Sequence, residues 1–528
     1  MLKAAARYIA MARKLPAWAR MPLEPDPPVV VRRMLDNREG NFLHLMRTAV
    51  FANPASPYHQ LFAWAGCTYG DLEHAVRKDG LEPALRSLRD AGVYLAHDEF
   101  KGLRPVERGG KQMMVDSATL ANPDPRYQRA TPEASSGSRS RGTTTWRSLE
   151  YHTYREALEC VLFAGHRAGR EDVRMEEVLP NTGGIRNVLH HGLRHGRPRK
   201  WFAMSGEAHY DAVTRLLLLE LRVLGVPLWM PQTLPHNDFS PVARYIAERK
   251  RAGAALLVNG TASKLVRVAA AAMDLGLDIS GTLFMSGGEA LTEAKRAVIE
   301  KAGVEVHSRY VTSELGIVGV GCRQMQGNCV HLAMDAMAAI TRRRVAPLSE
   351  VEVDSLMFTT LLPFAATIGV NLEMDDAGEL GPATCDCELK HIGMTRQIDD
   401  IFSYGKLTGY GTSLMGGEIL ALLEERLPAK FGGVPSDYQL VEREGTSQTE
   451  LELRIHPRLK VASAGEVRAY FLEEIRGLWG GGLTRRFWTR SESVRAVIAE
   501  PYMVGRGKVH ALHLLGGRQG RAQQAGAR

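Results

Sequence analysis

The stretch MSGGEALTEAKRAVIEKAGVEVHSRYVTSELGIVG, Met285–Gly319, sets a Ser-Gly-Gly-Glu turn after an apolar run and a Tyr-Val-Thr-Ser-Glu run about twenty residues later. Gly287 and Gly288 have no Cβ, so a flat base can lie directly on their backbone. Tyr310 offers a ring to stack on such a base. Thr312 and Ser313 offer hydroxyl donors to a phosphate, and Glu314 offers a carboxylate suited to a magnesium ion shared with phosphate oxygens. Taken singly, each run is also accounted for by packing alone: a strand, a turn, and a helix capped by Thr292.

Three other stretches carry chemistry of the same kind. SSGSRSRGTTT, Ser135–Thr145, gathers Ser135, Ser136, Gly137, Ser138, Arg139, Gly142 and Thr143. Small residues admit close approach, hydroxyls and amides donate to phosphate oxygens, and Arg139 and Arg141 add forked cations. It is not a Walker A loop, because Gly-Lys-Ser/Thr is absent, and composition alone reads it as a linker. NLEMDDAGEL offers Asp375 and Asp376, whose carboxylates can accept two ribose hydroxyls, although acidic residues before Gly also make ordinary turns. GRGKVHALHLL places Lys508 after a glycine turn, where a surface lysine is the ordinary reading.

These residues need a scaffold. Residues 170 to 320 repeat a strand–turn–helix plan: KWFAMSG before HYDAVTRLLLLELRVLG, with Gly225 as its C-cap; AALLVNG before a helix capped by Thr261 or Ser263; GTLFMSGG before EALTEAKRAVIEKAG. Such alternation predicts an α/β sheet with parallel strands, whose ligands sit beyond the strands' carboxyl ends. The first hundred residues read as mostly helical. Beyond Met394, DYQLVEREGTSQTELELRIHP alternates as antiparallel strands do, and SAGEVRAYFLEEIRGLW reads as a helix. The expected architecture is a large N-terminal domain of parallel-rich sheets with flanking helices, 1–394, and a small mobile α+β C-terminal domain, 395–528, whose tail 516–528 is expected to be disordered.

Composition sets outer bounds. The chain has 528 residues, 45% hydrophobic and 24% charged, an ordinary globular balance. It has no run of eighteen or more apolar residues, so no membrane span is expected. The basic opening MLKAAARYIAMARKLPAWARMP lacks a long apolar core and a small-residue cleavage site, so it reads as a first helix rather than a secretory leader. The net charge of +8 comes without basic segments interleaved with stacking aromatics, which argues against a nucleic-acid partner. Six cysteines in so long a chain make no disulfide framework, and a reduced cytoplasm is the expected setting.

In this order and spacing the motifs resemble the adenylate-forming superfamily of acyl-CoA synthetases, and in particular its phenylacetate–CoA ligase-like branch, which is also similar to the acyl-protein synthetases of bacterial luminescence. The resemblance runs from about Gly92 to Leu515 and includes AGVYLAHDEFKGLRPV as the entry to the phosphate loop. It implies that Ser135–Thr145 closes over ATP phosphates, that Gly287, Gly288 and Glu289 border adenine, and that Tyr310 stacks on it. It further implies that Thr312 contacts the α-phosphate, Glu314 binds Mg2+, Asp376 holds the ribose, Asp399 and Asp400 form a hinge, and Lys508 crosses from the small domain as the catalytic lysine. The implied reaction joins a small-molecule carboxylic acid to AMP, releasing pyrophosphate, and passes the acyl group to a thiol of CoA or of carrier-protein phosphopantetheine. Acylation of a protein cysteine (Cys67 or Cys160 among the candidates), amide formation, and a non-catalytic nucleotide-binding relative are the alternatives.

The sequence departs from the family at three places. Gly142 leads into Thr143, Thr144 and Thr145 instead of Gly-x-Pro-Lys; Arg396 stands one residue further from Asp399 than the usual hinge arginine; and Glu373-Met374-Asp375-Asp376 replaces Arg-Thr-Gly-Asp, leaving the choice between the two aspartates open. Cys322, Cys329, His331, Cys385 and Cys387 form two clusters that can supply a closed structural zinc site, with Cys322, His331, Cys385 and Cys387 as the expected ligands and Cys329 as the alternate. Buried cysteines packing as small apolar side chains are the other reading. LPNTGGIRNVLHHG and WMPQTLPHNDF are expected acid-pocket walls, with Asn181, His190 and His191 as pocket candidates, although structural histidines satisfied within the fold are the more ordinary reading of the last two.

Overall fold

Apolar runs closed by glycine, alternating with amphipathic stretches, should give strands covered by helices on both faces. The computed structural model describes residues 8–127, 131–134, 144–176, 182–204, 208–235, 238–288, 291–345, 352–403, 416–444, 449–477, 494–503, 509 and 511–515. Its centre is a twelve-stranded sheet in the order Met337–Val345, Glu352–Thr360, Leu372–Pro382, Arg396–Ser403, Val330–Leu332, Gly316–Val320, Glu305–Thr312, Leu283–Gly287, Leu256–Gly260, Glu171–Met175, Lys200–Met204 and Gln232–Leu234. From Glu305–Thr312 to Gln232–Leu234 every pairing is parallel, and from Glu305–Thr312 the other way every pairing is antiparallel. The strand that carries the Tyr-Val-Thr-Ser-Glu run is the junction between the two halves.

Strand side chains alternate in direction, and the cores show it. Leu257, Leu283 and Met285 join the core that includes Tyr151, Tyr154 and Leu158 of helix Leu149–Arg167. Leu256, Val258, Phe284 and Val306 join a second core with helices Ser240–Arg251, Ala262–Asp274 and Glu293–Lys301. The parallel half is thus covered on both faces. Local rules place the turns: Gly225 ends its helix at φ 85, and Thr292 Oγ1 accepts from Lys295 N at 3.4 Å as an N-cap. Thr261 is the N-cap of Ala262–Asp274 but makes no side-chain cap bond.

The N-terminal region is helical, as expected. Thr68 and Asp71 form a reciprocal cap on Tyr69–Asp79, and Leu81–Asp90 buries Leu81, Ala84, Leu85 and Leu88. Among the described residues, no helix is long and apolar enough to cross a membrane.

The C-terminal α+β region has its own core. Tyr438–Glu444 and Thr449–Ile455 pair antiparallel, with Val494–Ile498 and Leu512–Leu515 parallel at the two edges. Ile419, Leu440, Leu453, Val467 and Phe471 pack beneath them. The strand Arg396–Ser403, which follows the boundary expected at 394/395, pairs with Leu372–Pro382 and Val330–Leu332 in the large sheet. The tail 516–528 lies outside the described residues.

Candidate active site

The glycine turn forms at the carboxyl end of Leu283–Gly287. Ser286 and Gly287 stand opposite Ser308 and Arg309 of the neighbouring parallel strand. Gly288 has φ 79, where an L side chain would be strained, so glycine is required there. A Cβ on Gly287 would lie 2.7 Å from Nε of Arg309. Glu289 lies outside the described residues.

The second run begins where the ladder breaks. The register shifts between Tyr310 and Val311, a bulge that re-aims the side chains beyond it. The Tyr310 hydroxyl donates to Oδ2 of Asp376 at 2.6 Å, and its ring meets Phe358 edge-on at 5.9 Å. The structure therefore joins two residues placed at one nucleotide on sequence grounds alone. Thr312 Oγ1 accepts from Leu315 N at 3.0 Å and tightens the turn that follows. Arg147, buried to 1% exposure, donates to the Ser313 carbonyl at 2.7 Å and lies over the Tyr151 ring at 4.5 Å. Gly316, at φ 92, leaves room for the Tyr151 hydroxyl, which a Cβ would meet at 2.1 Å.

Glu314 is 6% exposed and its Oε1 pairs with Lys101 Nζ at 2.6 Å. The residue read as a magnesium ligand thus already holds a cation of the chain. Glu314 lines a cleft against helix Leu149–Arg167, together with Tyr151, Tyr154, Arg155 and Leu315. Asp375 turns elsewhere: it has φ 59, and its Oδ2 lies 3.4 Å from His97 Nδ1, which also contacts Asp98 at 3.3 Å. Asp400 is exposed with φ 48, and Gln397 donates to Asp399.

Of the glycine- and hydroxyl-rich loop, Ser135, Ser136, Gly137, Ser138, Arg139, Arg141, Gly142 and Thr143 lie outside the described residues. Its flanks are described: Thr131–Ala134 and Thr144–Arg147 form a hairpin with Ala134 opposite Thr144. The return strand carries Arg147 to Ser313, so the hairpin ends at the second motif. Lys508 lies outside the described residues; its neighbour Val509 accepts a hydrogen bond from Ser263 Oγ at 2.9 Å, against helix Ala262–Asp274. Asn181 is likewise outside. His191 Nε2 binds Asp172 at 3.0 Å, and the His190 ring packs on His152 at 5.1 Å.

Cys322, His331, Cys385 and Cys387 bring one ligand atom each within 4.8 Å of one another. The Met394 carbonyl accepts from His331 Nδ1 at 2.9 Å, which fixes the tautomer and leaves the Nε2 lone pair for the sulfurs. Nε2 lies 3.1 Å from Cys385 Sγ and 3.2 Å from Cys387 Sγ, and the two sulfurs are 3.5 Å apart. A tetrahedral zinc with bonds of about 2.0–2.3 Å needs ligand atoms at roughly such separations. The donor set fits that ion. Cys329 is outside the group; burial raises its pKa and a hydrogen bond to Asp399 raises it further.

No family model and no curated protein sequence matches the chain. Among solved structures it is similar to 2-hydroxyisobutyryl-CoA ligase in the postadenylation state with R3-HIB-AMP, at 13% identity and TM-score 0.51, covering 93% of this chain and 91% of that one. It also aligns with ATP-bound MatB from Rhodopseudomonas palustris, at 13% identity and TM-score 0.41 over 79% and 73% of the two chains. A third alignment is with the anthranilate CoA ligase AuaEII bound to anthranoyl-AMP, at 11% identity and TM-score 0.40 over 85% and 76%. The first match spans nearly all of both chains. The chain has the fold of the adenylate-forming ligases.

On that fold, Lys101, Arg147 and Arg309 occupy places that sequence reasoning does not assign to them. Lys101 stands in the quoted FKGLRPV stretch, but nothing local marks it as the partner of a carboxylate 213 residues away. Arg147 follows the loop and reads as one more basic residue of a polar stretch. Arg309 immediately precedes Tyr310, and its charge inside an otherwise strand-like run is the one signal that could have found it.

Proposed function

We propose that this chain activates a carboxylic acid with ATP, forming an acyl-adenylate and pyrophosphate, and then transfers the acyl group to a thiol with release of AMP. CoA or the phosphopantetheine of a carrier protein is the acceptor, and the phenylacetate–CoA ligase-like branch is the nearest type. The observation that carries the reading is the Tyr310–Asp376 hydrogen bond, which unites the base-stacking and ribose-binding candidates on a fold shared with a CoA ligase captured after adenylation.

In this reading Gly287 and Gly288 give the adenine a bare backbone to lie on, Tyr310 stacks on it, and Asp376 accepts from the ribose. Ser135–Thr143 close over the phosphates, Thr312 and Ser313 donate to them, and the acid's carboxylate oxygen attacks the α-phosphorus. Catalysis is then positioning and charge stabilisation. Mg2+ would supply neutralisation of the phosphate oxygens, with Glu314 as its ligand on the protein. For that, Lys101 must move from the carboxylate or share it. Lys508 would complete the site as the small C-terminal domain closes, and Asp400 would sit at the hinge that lets it do so.

Zn2+ held by Cys322, His331, Cys385 and Cys387 is structural in this reading, since four protein ligands leave no open position. A cytoplasmic setting agrees with reduced cysteines. The Lys101–Glu314 pair is the observation on which a non-catalytic nucleotide binder would rest. The two readings separate on one assay: acid-dependent conversion of ATP to AMP and pyrophosphate across aryl, fatty, hydroxy and dicarboxylic acids. Turnover with some acid supports activation; ATP binding with no turnover for any acid contradicts it.

A further inference from the structure

A helix that packs against the core on one side should be apolar on that side and polar on the other. Helix Ala208–Val223 breaks this rule. Leu217, Leu218 and Leu221 are buried in a core shared with Met11, Leu15 and Trp18 of the N-terminal segment and with Val226 and Leu228. The opposite face carries Leu216, Leu219 and Val223, which helical spacing aligns in one stripe, and these are 50%, 59% and 80% exposed. Arg215 and Arg222 are exposed along one border of that stripe.

The segments that share this core have the same character. In the N-terminal segment Met11, Leu15 and Trp18 are buried, whereas Ile9, Arg13 and Arg20 are exposed. After the helix, Leu228 enters the core and Trp229 is half-exposed, with the Arg197 guanidinium over its ring at 4.3 Å. An indole half in solvent and covered by a cation suits the boundary between lipid tails and headgroups. Across residues 8–20 and 211–230 the exposed ionisable side chains are Arg13, Arg20, Arg215 and Arg222. The two carboxylates of those segments, Asp211 and Glu220, are half-buried. The charge that the face offers to solvent is therefore positive.

We propose that this face docks on an anionic lipid bilayer, with Leu216, Leu219, Val223 and Trp229 entering the headgroup boundary and the arginines meeting lipid phosphates. The helix would lie in the plane of the membrane instead of crossing it. Charge decides among the occupants. A second copy related by a two-fold axis would set Arg215 and Arg222 against the same residues of its partner, and like charges oppose that contact. Anionic headgroups attract every exposed charge of the face. The apolar side chains also project from the outer side of a helix, a ridge that a fluid bilayer covers without a shape made to fit it. Such docking is independent of the chemistry at the nucleotide site.

The test is co-sedimentation of the full chain with vesicles of phosphatidylcholine alone and of equal parts phosphatidylcholine and phosphatidylglycerol. Wild type should bind the anionic vesicles, bind the neutral ones roughly tenfold or more weakly, and leave the anionic ones as salt is added. Leu216→Gln with Leu219→Gln keeps helix propensity and should weaken binding about tenfold. Arg215→Gln with Arg222→Gln should weaken it by about tenfold or more. Arg244→Gln with Arg251→Gln removes equal charge at equal spacing from helix Ser240–Arg251, where both arginines are exposed. That control should stay within about twofold of wild type. All six side chains are solvent-exposed, so the variants should melt with wild type by circular dichroism. Wild type that ignores anionic vesicles overturns the proposal. So does binding that the leucine or arginine pair leaves unchanged, or that the control pair weakens equally, the mark of net charge alone. Where vesicles are ignored, sedimentation velocity names the occupant: self-association lost in the leucine pair assigns the face to a second copy, and a monomer in both leaves it to another protein.

Discussion

The Tyr310 hydroxyl donates to Asp376 at 2.6 Å although three strands separate their own strands in the sheet order. The antiparallel half must therefore bend to bring the two strands together, and register shifts at Tyr310/Val311 and Ala377/Glu379 lie beside the two residues that meet. The contact also separates the two adjacent aspartates. Asp376 faces the motif tyrosine, whereas Asp375 faces His97. Asp376→Asn should weaken ATP binding about tenfold, the loss of a hydrogen bond to a charged group, and Asp375→Asn should change it far less. Calorimetric titration with ATP checks both, and a larger effect at Asp375 would reverse the assignment.

Lys101 and Glu314 have side chains 8% and 7% exposed and 2.6 Å apart. Removing one member leaves a buried charge without its counter-ion. Lys101→Met should lower the unfolding free energy by about 3–5 kcal/mol. Adding Glu314→Gln should recover part of that loss, because no charge is then stranded. If Glu314 can ligate a cation, millimolar Mg2+ should stabilise Lys101→Met more than wild type in urea unfolding.

The cysteine–histidine group gives a composition to measure. Purified protein should carry one zinc per chain by elemental analysis. Cys385→Ser should lose it and lower the melting temperature, since metal binding free energy becomes folding free energy. Cys329→Ser should retain the metal, because Cys329 lies with Asp399 outside the group.

Asp335 is fully buried, and its Oδ2 accepts from the Tyr154 hydroxyl. Burial raises its pKa from 3.8 to about 6, against the lowering effect of Tyr154 and backbone amides. The folded state therefore holds the proton more tightly than the unfolded chain. This contribution is complete below about pH 4 and is lost as the pH rises through about 6. Relative to Asp335→Asn, wild type should lose about 2–3 kcal/mol of stability between pH 4 and pH 7, since each tenfold difference in proton affinity between the two states is worth about 1.4 kcal/mol. Parallel urea titrations at the two pH values check the sign.

The parallel half was legible because its signals are local. KWFAM, LLVNG and LFMSG are short apolar runs closed by small residues, and each became a strand followed by a helix. The hairpin in DYQLVEREGTSQTELELRIHP was legible from its alternation. The segment from Val494 to Leu515 reads as one apolar stretch but supplies strands at opposite edges of the small sheet, a separation that only non-local pairing can set. In RQIDDIFS the resemblance implies a hinge at Asp399 and Asp400, and nothing local announces a strand; its neighbours Leu372–Pro382 and Val330–Leu332 draw it into the large sheet. Lys101, Arg147 and Arg309 escaped for the same reason: a charged residue's burial depends on partners far along the chain.

The most direct test of acid activation is carboxylate-dependent exchange of pyrophosphate into ATP, measured with wild type and Lys508→Ala. The account predicts exchange with at least one acid of the panel, and its loss in Lys508→Ala while ATP still binds. ATP binding in wild type with no exchange for any acid, or exchange undiminished in Lys508→Ala, would contradict it.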